Sequence, residues 1–189
     1  MPKNHDKSAL NVLRIAEEKA RSVLKRDRVG NECLLMALAE SEDDVGKALR
    51  KRGLTPERVE HGFLCLFGEG DFVHSAKKPF ASAADENLRR SAMVADNHND
   101  RFIEPVHIAI ALFKNIDEPI KRLLDFLRID KDGIVDDLNK VGPFSRRADE
   151  LEAQFNAATV SDEDRVPARV GGDDDKPDEF DELCNGELN

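Results

Sequence analysis

The sequence predicts an all-α fold, in which two tandem four-helix repeats form one pseudo-symmetric eight-helix domain followed by a disordered acidic tail. Three observations carry this. Apolar residues recur at steps of three and four, and no run alternates with period two. The stretch Val29-Gly30-Asn31-Glu32-Cys33-Leu34-Leu35-Met36-Ala37-Leu38 returns in degenerate form at Ile103-Glu104-Pro105-Val106-His107-Ile108-Ala109-Ile110-Ala111-Leu112, at an offset of 74 (107 − 33). Its surroundings return at 75: Leu13-Arg14-Ile15-Ala16 with Ala20 as Leu88-Arg89-Arg90-Ser91 with Ala95, and Leu49 and Leu54 as Leu124 and Ile129. One residue is lost in the turn before the second copy.

The first helix is expected over Ser8–Lys25, where Leu10, Leu13, Ala16, Ala20 and Leu24 paint one apolar face. Asn31 is expected to cap the second helix, whose core Leu34–Glu40 is apolar nearly all round and therefore central. A third helix spans Asp43–Lys51 and stops at Gly53. Thr55-Pro56, a capping hydroxyl followed by proline at the first helical position, opens a fourth through Val59, Phe63 and Phe67. Gly68-Glu69-Gly70-Asp71 breaks the chain, and a linker runs to Pro79-Phe80. The second half repeats the plan, with helices expected at Ala81–His98, Pro105–Lys114, Glu118–Leu127 and Lys131–Lys140. Residues 8–67 are thus repeat one and 81–141 repeat two of one domain, 8–141. Residues 142–158 offer one more helix, with Leu151 and Phe155 four apart. From 159 to 189 the chain is acidic and rich in Gly, Pro and Asp, with too little apolar surface to offset the entropy of ordering. Phe180 and Leu183 lie among its acids, either as a short motif for a basic groove or as part of a solubilising tail.

The chain has 189 residues, and 40% hydrophobic content supports one core. A net charge of −10 makes it a poor general binder of nucleic acid or of anionic membranes. No apolar run approaches the ~18 residues of a membrane span, and no apolar signal region follows Met1–Lys7. Cys33, Cys65 and Cys184 are odd in number and form no Cys-x-x-Cys pair, which argues against a disulfide framework and a structural zinc. A cytoplasmic protein is the expectation.

A Leu-x-x-Ala-x-x-x-Ala helix face, a glycine turn into a buried helix and a Leu-x-x-x-Gly-Leu end, twice in tandem, resemble the Clp N-terminal repeat domain. That domain stands at the front of ClpA/ClpC-type unfoldases. The matching segments are Leu13–Ala20, Gly30–Leu38 and Leu49–Leu54, then Leu88–Ala95, Glu104–Leu112 and Leu124–Ile129. Lys78-Pro79-Phe80 is similar to the family's lead-in to repeat two. The resemblance implies a stand-alone, non-catalytic binding module. Its implied partners are Clp unfoldase or protease subunits, adaptors or degradation substrates, and no nucleic acid or membrane. No Gly-x-x-x-x-Gly-Lys-Ser/Thr loop occurs in the sequence, so no nucleotide or other cofactor is expected.

Some ClpC-type N-domains read arginine phosphorylated on its guanidinium. The resemblance places the corresponding site at Gly30, Asn31, Glu32 and Cys33. A helix N-terminus offers free N–H groups to a phosphate, and the Glu32 carboxylate can pair with a guanidinium. The alternative role for Glu32 is a first-turn carboxylate favoured by the helix dipole. A weaker second site falls at Glu104 and His107, where Val106 replaces the glutamate and Pro105 removes a donor.

Other residue groups carry competing readings. Asp96, His98 and Asp100 read as a solvated polar turn rather than a metal site. Asp130-Lys131-Asp132-Gly133 fails the calcium-loop register, which would put Arg128 and Asn139 at ligand positions. His107 reads as a core histidine, Cys33 as a small apolar residue, and a Cys33/His107 dyad lacks an identifiable third member. Lys25, Arg26 and Arg28, with Arg50, Lys51 and Arg52, form either a docking face or ordinary helix-end cations. The rival to the Clp reading is a helical interaction module that keeps this fold and serves another pathway.

Overall fold

The computed structural model describes residues 3–70 and 79–141. The 142–158 helix and the 159–189 tail expected from the sequence lie outside the described residues. Eight α-helices follow in order: α1 (Lys7–Ser22), α2 (Asn31–Glu40), α3 (Asp44–Lys51), α4 (Pro56–Phe67), α5 (Ser82–Asn97), α6 (Pro105–Lys114), α7 (Glu118–Leu127) and α8 (Asp132–Val141). No helix among them is long and apolar enough to cross a membrane.

Local chemistry explains the ends. Asp6, Asp43, Thr55 and Asp117 each cap a helix through a side-chain oxygen that accepts from the third backbone N–H. Gly53 leaves α3 at φ +86, a left-handed conformation that glycine adopts at little cost. Its counterpart in repeat two is Arg128, which adopts φ 55 after α7. The expected cap on α2 needs correcting. Gly30 is the N-cap, and Asn31 is the first helical residue, its side chain turned to another helix.

α2 and α6 are central. Every residue from Asn31 to Ala39 and from Pro105 to Phe113 is buried. α1 packs on α2 and α5 on α6, while α4 and α8 close the opposite sides. Leu34, Leu35, Met36 and Leu38 meet Ile108, Ile110 and Leu112 in one continuous core. Burial of an apolar side chain of this size contributes roughly 1.5–3 kcal/mol, so these two helices anchor the domain.

The repeats interlock reciprocally. Residues before α1 pair in parallel with the turn before α6: Ile103 N–H donates to Asn4 O and Asp6 N–H to Ile103 O, both at 2.9 Å. Residues before α5 pair with the turn before α2 in the same pattern, Val29 N–H to Pro79 O (2.8 Å) and Ala81 N–H to Val29 O (2.9 Å). Each repeat's lead-in therefore completes the other repeat's cap turn.

The second repeat also carries a buried polar residue at an apolar position of the first. Asn87 stands where Val12 stands in repeat one, 75 residues earlier. It is buried, and neither atom of its amide group has a hydrogen-bond partner among the described residues.

Candidate functional site: the paired cap turns

The turn into α2 gathers Gly30, Asn31, Glu32 and Cys33 at one helix start. Gly30 O accepts from Cys33 N–H (3.2 Å) and Leu34 N–H (3.3 Å), which closes the first turn. The Glu32 side chain folds back over Gly30 so closely that a Cβ at position 30 would overlap its carboxylate. Arg26, in the turn after α1, donates Nη1 to Glu32 Oε1 in an ion pair. The Glu32 side chain is 11% exposed and that of Arg26 34%. The turn therefore already holds a guanidinium, supplied by its own chain.

Asn31 Nδ2 donates to Asp117 Oδ2 at 2.9 Å, while Asp117 Oδ1 accepts from Ile120 N–H at 3.2 Å. One carboxylate thus caps α7 and ties it to the start of α2, across the two repeats. Cys33 is fully buried. Burial, then the neighbouring Glu32 charge, push its thiol up to about 12, so it stays protonated and unreactive.

The equivalent turn into α6 is built differently. Glu104 is the N-cap and forms a capping box with His107, in which Glu104 N–H donates to His107 Nδ1 (3.0 Å). Nδ1 is thereby the acceptor nitrogen, and Nε2 carries the proton that it gives to Asp100 Oδ2 (3.0 Å). The two side chains are 0% and 1% exposed. Burial holds the His107 pKa below the ordinary 6.5, against the opposing pull of Asp100.

Asp100 corrects the reading of 96–100 as a solvated turn. Asp96 is exposed and pairs with Lys3 Nζ (2.8 Å), but Asp100 lies in the interior, with its carbonyl bound by Lys3. The His98 ring stacks on His107 at 6.0 Å between centroids. His98, Asp100 and His107 bring ligand-type atoms within 4.8 Å of one another. The tautomer opposes a metal there: His107 spends its lone pair on the Glu104 amide, and a cation at Nε2 would have to break the capping box. With both its nitrogens engaged, His107 also cannot serve Cys33 as a base.

Three of the basic residues are held by partners within the domain. Arg26 holds Glu32, Arg50 holds the end of α2, and Arg52 Nε pairs with Asp137 Oδ2 at 2.7 Å. Sequence reasoning missed Arg26, Asp100 and Asp117 as partners of the cap turns. A signal was present for two of them: Arg26 and Asp100 correspond at the same offset of 74 as the turns they enter (100 − 26).

No family model matches the chain. It is 25% identical over 122 residues, 64% of its length, to an ATP-dependent Clp protease ATP-binding subunit ClpA homolog from Trieres chinensis, and it spans 14% of the length of that relative. Among solved structures it is similar to the N-terminal domain of the chaperone ClpD from Arabidopsis thaliana (TM-score 0.62, 20% identity, 72% of this chain and 93% of that one). It is similar also to the Hsp104 N-terminal domain from Candida albicans (TM-score 0.58, 14% identity, 72% and 89%). A ClpV N-domain in complex with a VipB peptide aligns with TM-score 0.50 at 17% identity, over 71% of this chain and 88% of that one. At these identities the likeness speaks to architecture, and the described residues carry the fold of a Clp N-terminal domain.

Proposed function

We propose that this chain is a binding module of the Clp protease and unfoldase system, one that engages Clp subunits, adaptors or degradation substrates without chemistry of its own. The carrying observation is the doubled, interlocked Clp N-domain fold in a sequence that has no Walker-type phosphate loop. The ClpV N-domain solved with a VipB peptide supports peptide capture as the use of such a surface.

The cap turn of α2 is the proposed contact, with Gly30, Asn31, Glu32 and Cys33 forming it. Its buried carboxylate already accepts a guanidinium, which supports a phosphoarginine-type tag as ligand. The tag's guanidinium would exchange with Arg26, and its phosphate would meet the free N–H groups at the start of α2. Glu104 and His107 are the weaker second site. His107 has both ring nitrogens engaged, so repeat one is the stronger candidate.

Calorimetry with phosphoarginine, against arginine as control, tests the tag reading on wild type, Glu32→Ala and Arg26→Ala. Binding that Glu32→Ala abolishes and Arg26→Ala strengthens supports it. No heat with any of the three proteins retires the tag and leaves protein docking. A pull-down from the native cell that returns no Clp subunit, adaptor or protease substrate overturns the wider proposal.

A further inference from the structure

The two repeats match helix for helix in their packing except at one place. α1 packs on α2 as α5 does on α6, and α2 on α4 as α6 does on α8. α3 lies along α2, whereas α7 makes no comparable packing with α6.

The cause lies at the end of the central helix. Gly46 lets α3 close on α2, since a Cβ there would overlap the Ser41 carbonyl oxygen. Arg50 then folds over the helix end, its Nη1 donating to Ala39 O (2.7 Å) and Ser41 O (2.8 Å). A guanidinium thus satisfies carbonyls that the helix leaves without partners, at the negative end of its dipole.

In repeat two the place of Arg50 is held by Asp125. The hydrogen bonds that end the two helices set the register: Gly53 N–H to Arg50 O (2.9 Å) matches Arg128 N–H to Asp125 O (3.2 Å), and Leu54 N–H to Leu49 O (3.0 Å) matches Ile129 N–H to Leu124 O (2.9 Å). Ile120 and Lys121, which correspond to Gly46 when counted from the two ends of α7, both carry a Cβ. Among the described residues the end of α6 is held by its own C-cap, with Asn115 Nδ2 donating back to Ala111 O (3.1 Å). Among the described residues no guanidinium reaches it. Between this end and α7 lies a cavity of about 650 Å³, lined by Asn115, Ile116, Leu124, Asp125 and Ile129 among others.

We propose that this cavity receives an arginine side chain of a partner polypeptide, whose guanidinium takes the place that Arg50 fills in repeat one. It donates to the C-terminal carbonyls of α6 and pairs with Asp125, while its stem lies on Ile116, Leu124 and Ile129. Lys114, Lys121 and Lys131 also reach the cavity, so the arginine it takes is flanked by acidic residues. This site is separate from the Glu32 turn and does not rest on the tag reading.

Titration of the full ¹⁵N-labelled chain with acetyl-Glu-Arg-Glu-amide tests it. The same peptide with citrulline, which is uncharged, is the control. Saturable shifts are expected at Asn115, Ile116 and the Asp125–Ile129 turn with the arginine peptide, and none with the citrulline peptide. Asp125→Arg supplies the guanidinium internally and removes binding. Asp125→Asn, a near-isosteric change at an exposed position, weakens it at least tenfold and covers the case in which Asp125→Arg fails to fold. Equal binding of the citrulline peptide, shifts confined to the Glu32 turn, or unchanged affinity of Asp125→Asn would overturn the proposal.

Discussion

Asp100 accepts a hydrogen bond from His107 Nε2 at 3.0 Å, with both side chains closed to water. Burial depresses the His107 pKa in the fold, and the same cause depresses those of His5 and His98. The unfolded chain therefore binds more protons than the folded one as pH falls through the ordinary histidine value of 6.5. Stability from these groups is fully present above that value and is lost below it. The melting temperature is expected to be level from pH 8 to 7 and to drop between pH 6.5 and 5. Substituting His107 by Gln should flatten the drop, and a wild-type curve that stays level to pH 5 would count against the burial-depressed histidines.

Arg26→Ala leaves the Glu32 carboxylate buried without its cation. The cost is about 1–2 kcal/mol once the partial exposure of Arg26 is allowed for. Arg26→Ala combined with Glu32→Gln should recover most of it. Urea unfolding of the two single variants and the double variant forms the cycle, and strict additivity would deny the coupling.

Asn87→Val should stabilise the domain by about 1–3 kcal/mol. It removes a buried amide that lacks partners and restores the residue type that repeat one uses at Val12. A variant less stable than wild type in urea would mean that the amide has a partner in solution.

Gly46→Ala should destabilise by about 3 kcal/mol, because its new methyl meets backbone at Ser41 rather than a side chain that can swing away. A melting curve unchanged from wild type would show that α3 can retreat from α2 freely.

Much of this architecture was readable in advance, and the reasons are local. Periodicity placed α6 and α7 at their observed bounds, and Thr55-Pro56 and Gly53 marked a start and a stop that the structure keeps. The first helix ends at Ser22 rather than Lys25, since Lys25 already stands at φ 50. What could not be read is which polar groups meet. Asn31 and Asp117 are 86 residues apart, and nothing near either one announces the other. The run Asp96-Asn97-His98-Asn99-Asp100 looks uniformly hydrated, yet packing of the second cap turn buries only its last member. Asn31 has the side chain of a preferred cap, but Gly30 leaves room for Glu32 to fold back and moves the cap one place earlier.

The reciprocal pairing of His5 with Ile103 and of Phe80 with Val29 makes neither half self-sufficient. Cut from its sister, repeat one keeps a donor segment at its front and an empty acceptor at Val29, and a second copy of itself offers both in the right order. Its expected state is a two-fold homodimer in which the front segment of each copy pairs with the Val29 turn of the other, the arrangement that the intact chain holds within itself. The one packing difference between the halves, α3 closed on α2 and α7 standing off α6, is carried on this shared scaffold.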